Sequence, residues 1–249
     1  LARQLGSDQP VFGLQPVGYQ QDEVPHDRVE EMAAAYVREI LELQPSGPYN
    51  LAGVCFGGSV AWEMATQLRS QGKEVALIML IDSIAPEHGP QWSPAARSAS
   101  KTFQRMVGSY RAGKLIQFCR NAAHWRTYRL RNMWTSKGRL LLRLMDAHAQ
   151  AQALYCASPL DCPVFCLQSE EIAASSSVRE RWSLLAKGRF DITVVPGTLH
   201  RDLLLGAQRV PTLAKLLREQ LDRSCLDGPG KEPCSVPFVS RDHSIRRAA

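Results

Sequence analysis

Gly53-Val54-Cys55-Phe56-Gly57 places a cysteine two residues from a glycine on either side, the spacing G-x-C-x-G. Such a pentapeptide suits a sharp strand-to-helix turn, where the central residue is held in a strained conformation and glycines let neighbouring backbones pass. Cys55 there is a candidate nucleophile for acyl groups. The Phe56 backbone N–H is then placed to face a developing oxyanion, and the helix N-terminus favours the thiolate. The alternative is an inert cysteine buried beside a tight turn. A nucleophile needs a base and a group that orients the base. Of the histidines at 26, 88, 124, 148, 200 and 243, only His200 follows a late strand and precedes the last helix. A solvated loop histidine is the competing reading of His200, and His88, His124 and His148 read as surface or packing residues. Two acids compete for the orienting role: Asp82, which ends an apolar strand and could instead cap a turn, and Glu170 or Glu171 after a later strand.

These residues must be carried by alternating strands and helices. Val11–Leu14 reads as a short strand. Val29, Met32, Ala33, Tyr36, Val37, Ile40 and Leu41 form one apolar helical stripe, with Asp27 and Glu30 as a capping box. Asn50–Val54 reads as a buried strand, and Val60, Ala61, Met64, Ala65 and Leu68 as one face of the helix after the elbow. Val75–Ile81 is continuously apolar, as a strand covered on both faces must be. Further on, strands are predicted at Val164–Leu167 and Ile192–Val195, and helices around 178–187 and after Leu213. The pattern predicts an α/β fold with a mostly parallel, doubly wound sheet. The order Cys…Asp…His matches that of α/β-hydrolases.

Residues 88–145 break this alternation. They carry twelve Lys and Arg and no acid, interleaved with aromatics, and read as a helical insertion. The rest of the chain then holds eighteen cations against 24 acids, so a net charge of +6 over 249 residues divides into a basic insertion and an acidic body of net −6. No run approaches the roughly 18 apolar residues of a membrane span, and no secretory signal is expected. Seven scattered cysteines suit a reducing, cytoplasmic setting better than a disulfide framework. Cys156, Cys162 and Cys166 lack paired metal-binding spacing, so no metal is expected. Residues 224–249 lack periodicity and read as a disordered tail.

The run GPYNLAGVCFGGSVAWEMATQLRSQGKEVALIMLIDSIAP, with VFGLQPVG and DRVEEMAAAYV upstream, closely resembles the elbow region of thioesterase domains of nonribosomal peptide and polyketide synthetases. The resemblance extends over residues 1 to about 223. It implies an α/β-hydrolase fold, with 88–145 as a helical lid over an acyl channel. It also implies a catalytic triad of Cys55 as nucleophile, Asp82 as acid and His200 as base, leaving Glu170 as the fallback acid. Two departures stand out. The family's usual nucleophile is serine, and a cysteine acyl-enzyme remains a thioester, activated toward amines and internal hydroxyls as well as water. The family's first strand and its His-Pro-Gly-Gly type loop, which donates a second oxyanion N–H, are expected ahead of Val11 and are absent here. That pattern would fit a fragment of a larger synthetase or a degraded gene product.

The resemblance implies release of an acyl, peptidyl or polyketide chain from the phosphopantetheine arm of a carrier protein, by hydrolysis or cyclisation, with no cofactor of its own. The alternatives are a stand-alone editing thioesterase that clears misprimed carriers, and a non-catalytic remnant that at most binds carrier protein. The basic insertion, with Arg126, Arg129 and Arg131, would dock the typically acidic carrier. A nucleic-acid partner is disfavoured because no recognition motif accompanies the basic and aromatic residues.

Overall fold

The computed structural model describes residues 1–20, 23–86, 126–174, 176–197, 209–227 and 245–247. Along the chain run α1 (Ala2–Leu5), β1 (Phe12–Leu14), α2 (Val29–Leu43), β2 (Tyr49–Val54), α3 (Gly57–Ser70) and β3 (Val75–Ile81). There follow α4 (Ser136–Leu154), β4 (Val164–Ser169), α5 (Glu170–Ala173), α6 (Ser176–Leu185), β5 (Phe190–Val195), α7 (Val210–Asp227) and β6 (Ile245–Arg247). The chain divides into two compact units. One comprises Leu1–Gln15, Val29–Glu87 and Cys156–Ala249; the other comprises Pro16–Arg28 and His88–Tyr155.

The first unit is built on a parallel sheet in the order β2-β3-β4-β5. β3 and β4 lie inside it, and their apolar runs are buried almost throughout, as the sequence predicts for strands covered on both faces. Leu77, Met79 and Ile81 pack with Phe165, Leu167, Leu213, Leu217 and Leu221, so α7 covers one face. Leu80 points the other way, toward Gly58 at the start of α3. Helices therefore lie on both faces, which is the doubly wound α/β architecture of the α/β-hydrolase type.

Several local expectations change. Among the described residues β2 borders the sheet and is not fully buried: Ala52 and Val54 are exposed while Tyr49, Leu51 and Gly53 are buried. The α2 stripe is buried from Val29 to Val37, but Ile40 and Leu41 are only half-buried. Asp27 Oδ2 accepts a hydrogen bond from Gln150 Nε2 at 2.8 Å. Within the stretch predicted as a tail from residue 224, two described segments take regular structure. α7 continues to Asp227 and places Ser224 in the buried interior, and Ile245–Arg247 pairs antiparallel with Phe12–Leu14. Cys162 and Cys166 are buried, and burial pushes both thiols up to about 12, consistent with packing roles.

In the second unit α4 runs unbroken through residue 145, where the insertion was expected to end. Its first turn is capped by Thr135, whose hydroxyl oxygen accepts from Gly138 N at 3.0 Å. Arg129 meets Asp146, one residue past the predicted acid-free segment, in a bidentate pair at 2.7 and 2.9 Å.

Two buried tryptophans tie distant segments of the first unit together. Trp62 and Trp182 stack at 5.0 Å between ring centroids, tilted by 39°. Trp62 Nε1 donates to Ser158 O at 2.9 Å, and Trp182 Nε1 donates to Ser83 O at 3.0 Å. A buried carbonyl left unpaired costs about 1–3 kcal/mol. Trp182→Phe, which keeps an aromatic ring but strands the Ser83 carbonyl, is therefore expected to lower unfolding stability by about 1–3 kcal/mol, measured by urea denaturation.

Candidate active site

The elbow forms as the spacing predicts. β2 ends at Val54, Phe56 is the N-cap of α3, and Cys55 between them takes φ +51°. A non-glycine residue in this left-handed region costs about 1–2 kcal/mol, and the surrounding hydrogen bonds hold it there. Cys55 N donates to Ile81 O at 3.0 Å, and Cys55 O accepts from Gly58 N at 3.1 Å.

The glycines divide the work differently from the motif's symmetry. A Cβ on Gly53 would collide with the Gly57 carbonyl, so the start of α3 can approach β2 only over a bare Cα. Gly57 itself has open space where a side chain would stand. The second tight position is Gly58, where a Cβ would run into the Ser83 side chain. Ser83 Oγ in turn donates to Gly53 O at 3.2 Å, closing a contact between the elbow and the end of β3.

Asp82 sits at that end. Val54 and Ile81 are paired, so Cys55 and Asp82 leave neighbouring parallel strands side by side. Asp82 also takes a left-handed conformation, φ +48°, and is buried. Its N–H donates to Leu167 O at 2.8 Å, and its Oδ1 accepts from Ser169 N at 2.6 Å. The β4 backbone thus holds both the main chain and the carboxylate of Asp82. Ser83, Gly58, Ser169 and Trp182 all act in this framework and were not singled out from sequence. The Gly57-Gly58 doublet was the one visible signal among them.

Burial, and secondarily the negative charge of Asp82, pushes the Cys55 thiol above its ordinary value. Both causes act against the helix N-terminus, which favours the thiolate. A neutral thiol beside a carboxylate needs a base to take its proton.

Glu170 is held elsewhere. It opens α5 after β4, and its Oε2 accepts from Gly197 N at 2.7 Å, just beyond β5. His200, His88, His124 and His243 lie outside the described residues. His148 lies in α4, where burial lowers its pKa. Arg126 and Arg131 are exposed, whereas Arg129 is engaged by Asp146. Among the described residues no group of His, Cys, Asp or Glu is arranged to hold a metal ion, and no helix is long and apolar enough to cross a membrane.

Comparison with known proteins agrees with this geometry. A dimodular nonribosomal peptide synthase of Bacillus subtilis (strain 168) is 43% identical over 88 residues, which is 35% of this chain and 4% of that protein. This chain thus spans only a small part of that relative's length. Among solved structures, the NocB thioesterase domain from the nocardicin cluster shares 25% identity at a TM-score of 0.56, covering 82% of this chain and 78% of that one. YbtT, a type II thioesterase from a yersiniabactin NRPS/PKS pathway, shares the fold at 18% identity and a TM-score of 0.54, covering 82% of this chain and 78% of that one. The sequence pattern of the thioesterase domain family matches residues 1–221. An α/β sheet bearing a sharp strand-to-helix elbow at Cys55, matched to that pattern along most of its length, makes this chain a member of the thioesterase domain family of thioester hydrolases.

Proposed function

We propose that this domain releases an acyl, peptidyl or polyketide chain from a phosphopantetheine carrier protein through a Cys55 acyl-enzyme. The observation that carries this reading is Cys55 at φ +51° on the elbow, with the buried Asp82 carboxylate at the neighbouring strand end. Cys55 Sγ attacks the thioester carbonyl carbon while its proton passes to His200. The bond from that carbon to the carrier's sulfur then breaks, and the departing thiolate recovers the proton. Phe56 N–H faces the oxyanion, and Asp82 orients the imidazole. Water or an internal nucleophile, deprotonated by His200, then cleaves the enzyme thioester to complete hydrolysis or cyclisation. The exposed Arg126 and Arg131 attract an acidic carrier, while Arg129 contributes less because Asp146 already neutralises it.

The raised Cys55 pKa fixes a sign. Asp82 disfavours the thiolate, so Asp82→Asn should lower the thiol's pKa and speed alkylation of Cys55 by iodoacetamide near neutral pH. The same substitution should slow acyl transfer on the order of 10³–10⁴-fold, because the imidazole loses its orienting partner. Glu170→Gln should spare most of the activity. If Glu170→Gln carried the larger loss instead, Glu170 would be the orienting acid.

Intact-protein mass spectrometry after incubation with an acyl-N-acetylcysteamine thioester should show one acyl adduct on Cys55, lost in Cys55→Ala. An adduct that survives Cys55→Ala would overturn the nucleophile assignment.

Arg126→Gln with Arg131→Gln should slow release from carrier-bound substrate at low salt, with little change toward the small thioester. Single Arg129→Gln should do less. Equal effects on both substrates would remove carrier docking from the explanation.

A further inference from the structure

The pairing of β2 with β3 ends at Val54 and Ile81, so Cys55 and Asp82 stand just beyond the last strand pair. Both are left-handed, at φ +51° and +48°, a conformation that persists in such residues only where neighbours hold it. Asp82 is tied to β4 through Leu167 O and Ser169 N. Ser83 ties the same strand end to the elbow. Its hydroxyl donates to Gly53 O at 3.2 Å, with Ile81 O at 3.4 Å as a weaker second acceptor. The same side chain crowds the place where a Cβ on Gly58 would stand, and Gly58 N donates to Cys55 O at 3.1 Å. Ser83 thus touches the chain on both sides of Cys55. It is itself buried, and Trp182 Nε1 holds its carbonyl from α6 at 3.0 Å.

We propose that Ser83 is a positioning residue for acyl transfer at Cys55, a role that rests on the Cys55 acyl-enzyme reading: its side chain locks the elbow to the strand end that carries Asp82. Two features separate this role from simple packing. The hydroxyl bonds to the backbone of the other strand rather than only to its own, so it restrains β2 against the end of β3 where the strand ladder has stopped. The contact with Gly58 bears on the first turn of α3, whose position sets both the Cys55 reversal and the Phe56 N–H. A displacement of about 1 Å at reacting groups costs on the order of a hundredfold in rate. A link at this point therefore weighs more on the rate of acylation than on the stability of the fold. Ser83 needs no contact with the substrate to act in this way; it acts through Gly53, Gly58 and Asp82.

Acylation of Cys55 by an acyl-N-acetylcysteamine thioester, timed by intact-protein mass spectrometry over a range of thioester concentrations, tests this. Ser83→Ala keeps the Cβ beside Gly58 but loses the bond to Gly53 O. Its maximal acylation rate should fall by about tenfold to a hundredfold, with the half-saturating concentration held within about twofold. Ile78→Val, in the buried middle of β3, should lower the thermal midpoint yet acylate at the unsubstituted rate. If the rate instead falls in step with the midpoint in both variants, Ser83 only packs and the proposal is overturned. Gly58→Ala should also slow acylation, because its Cβ collides with Ser83. Adding Ser83→Gly removes that collision and leaves Leu80 Cδ2 at 3.3 Å, so the double variant should acylate faster than Gly58→Ala alone. A double variant no faster than Gly58→Ala overturns the proposal. Should Gly58→Ala not fold, the comparison of Ser83→Ala with Ile78→Val decides alone. Absence of a Cys55 adduct in the unsubstituted chain overturns the acyl-enzyme reading and this role together. An adduct that forms equally fast in Ser83→Ala overturns the role of Ser83 alone.

Discussion

The close approach of α3 to β2 over Gly53 is the contact on which the candidate site rests. Without a Cβ at that position the Gly57 carbonyl can lie against the strand, and the chain can reverse within the single residue Cys55. That reversal lifts Cys55 out of the β2 plane and into a left-handed conformation that no repetitive element would impose. The helix then descends along β2 and β3 with Val60, Ala61, Met64 and Leu68 buried, so burial along α3 helps offset the strain at its first turn.

A second constraint holds Asp82 beside Cys55. Ser83 fills the space that Gly58 leaves open, bonds back to Gly53, and is itself gripped through its carbonyl by Trp182. Asp82, one residue earlier, is therefore fixed by neighbours on three strands rather than by a loop of its own. The electrostatic consequence opposes a preformed thiolate. Burial first, and then the Asp82 charge, pushes the Cys55 thiol above its ordinary value.

The strands and long helices were legible because their signals are local. The unbroken apolar run Val75–Ile81 and the 3.6-residue stripe of α3 state their burial without reference to neighbours. The elbow was legible because glycine spacing marks a backbone requirement. What failed depends on contacts between segments far apart in sequence. The bond from Gln150 to the Asp27 carboxylate joins residues 123 apart and has no local signal. Gly57 matches the motif, yet it is Gly58 that a distant serine makes indispensable. Ile245–Arg247 carries no periodicity and becomes a strand only because Phe12–Leu14 offers an edge. The insertion's boundary at 145 followed charge, whereas α4 follows helix geometry and continues past it.

The same reasoning joins the exposure of β2 to the elbow it feeds. Tyr49, Leu51 and Gly53 are buried, while Ala52 and Val54 are open and Asn50 is half-buried. Ile40 and Leu43, at the C-terminal end of an otherwise buried stripe, line a groove at the same border. Strand and helix thus lose burial along one common line beside the groove. Cys55 stands at the top of that line. Its reversal is braced on the β3 side by Ile81 and Ser83. Packing of β2 against β3 and the placement of Cys55 are then one mechanical requirement, set by the single residue at which strand becomes helix.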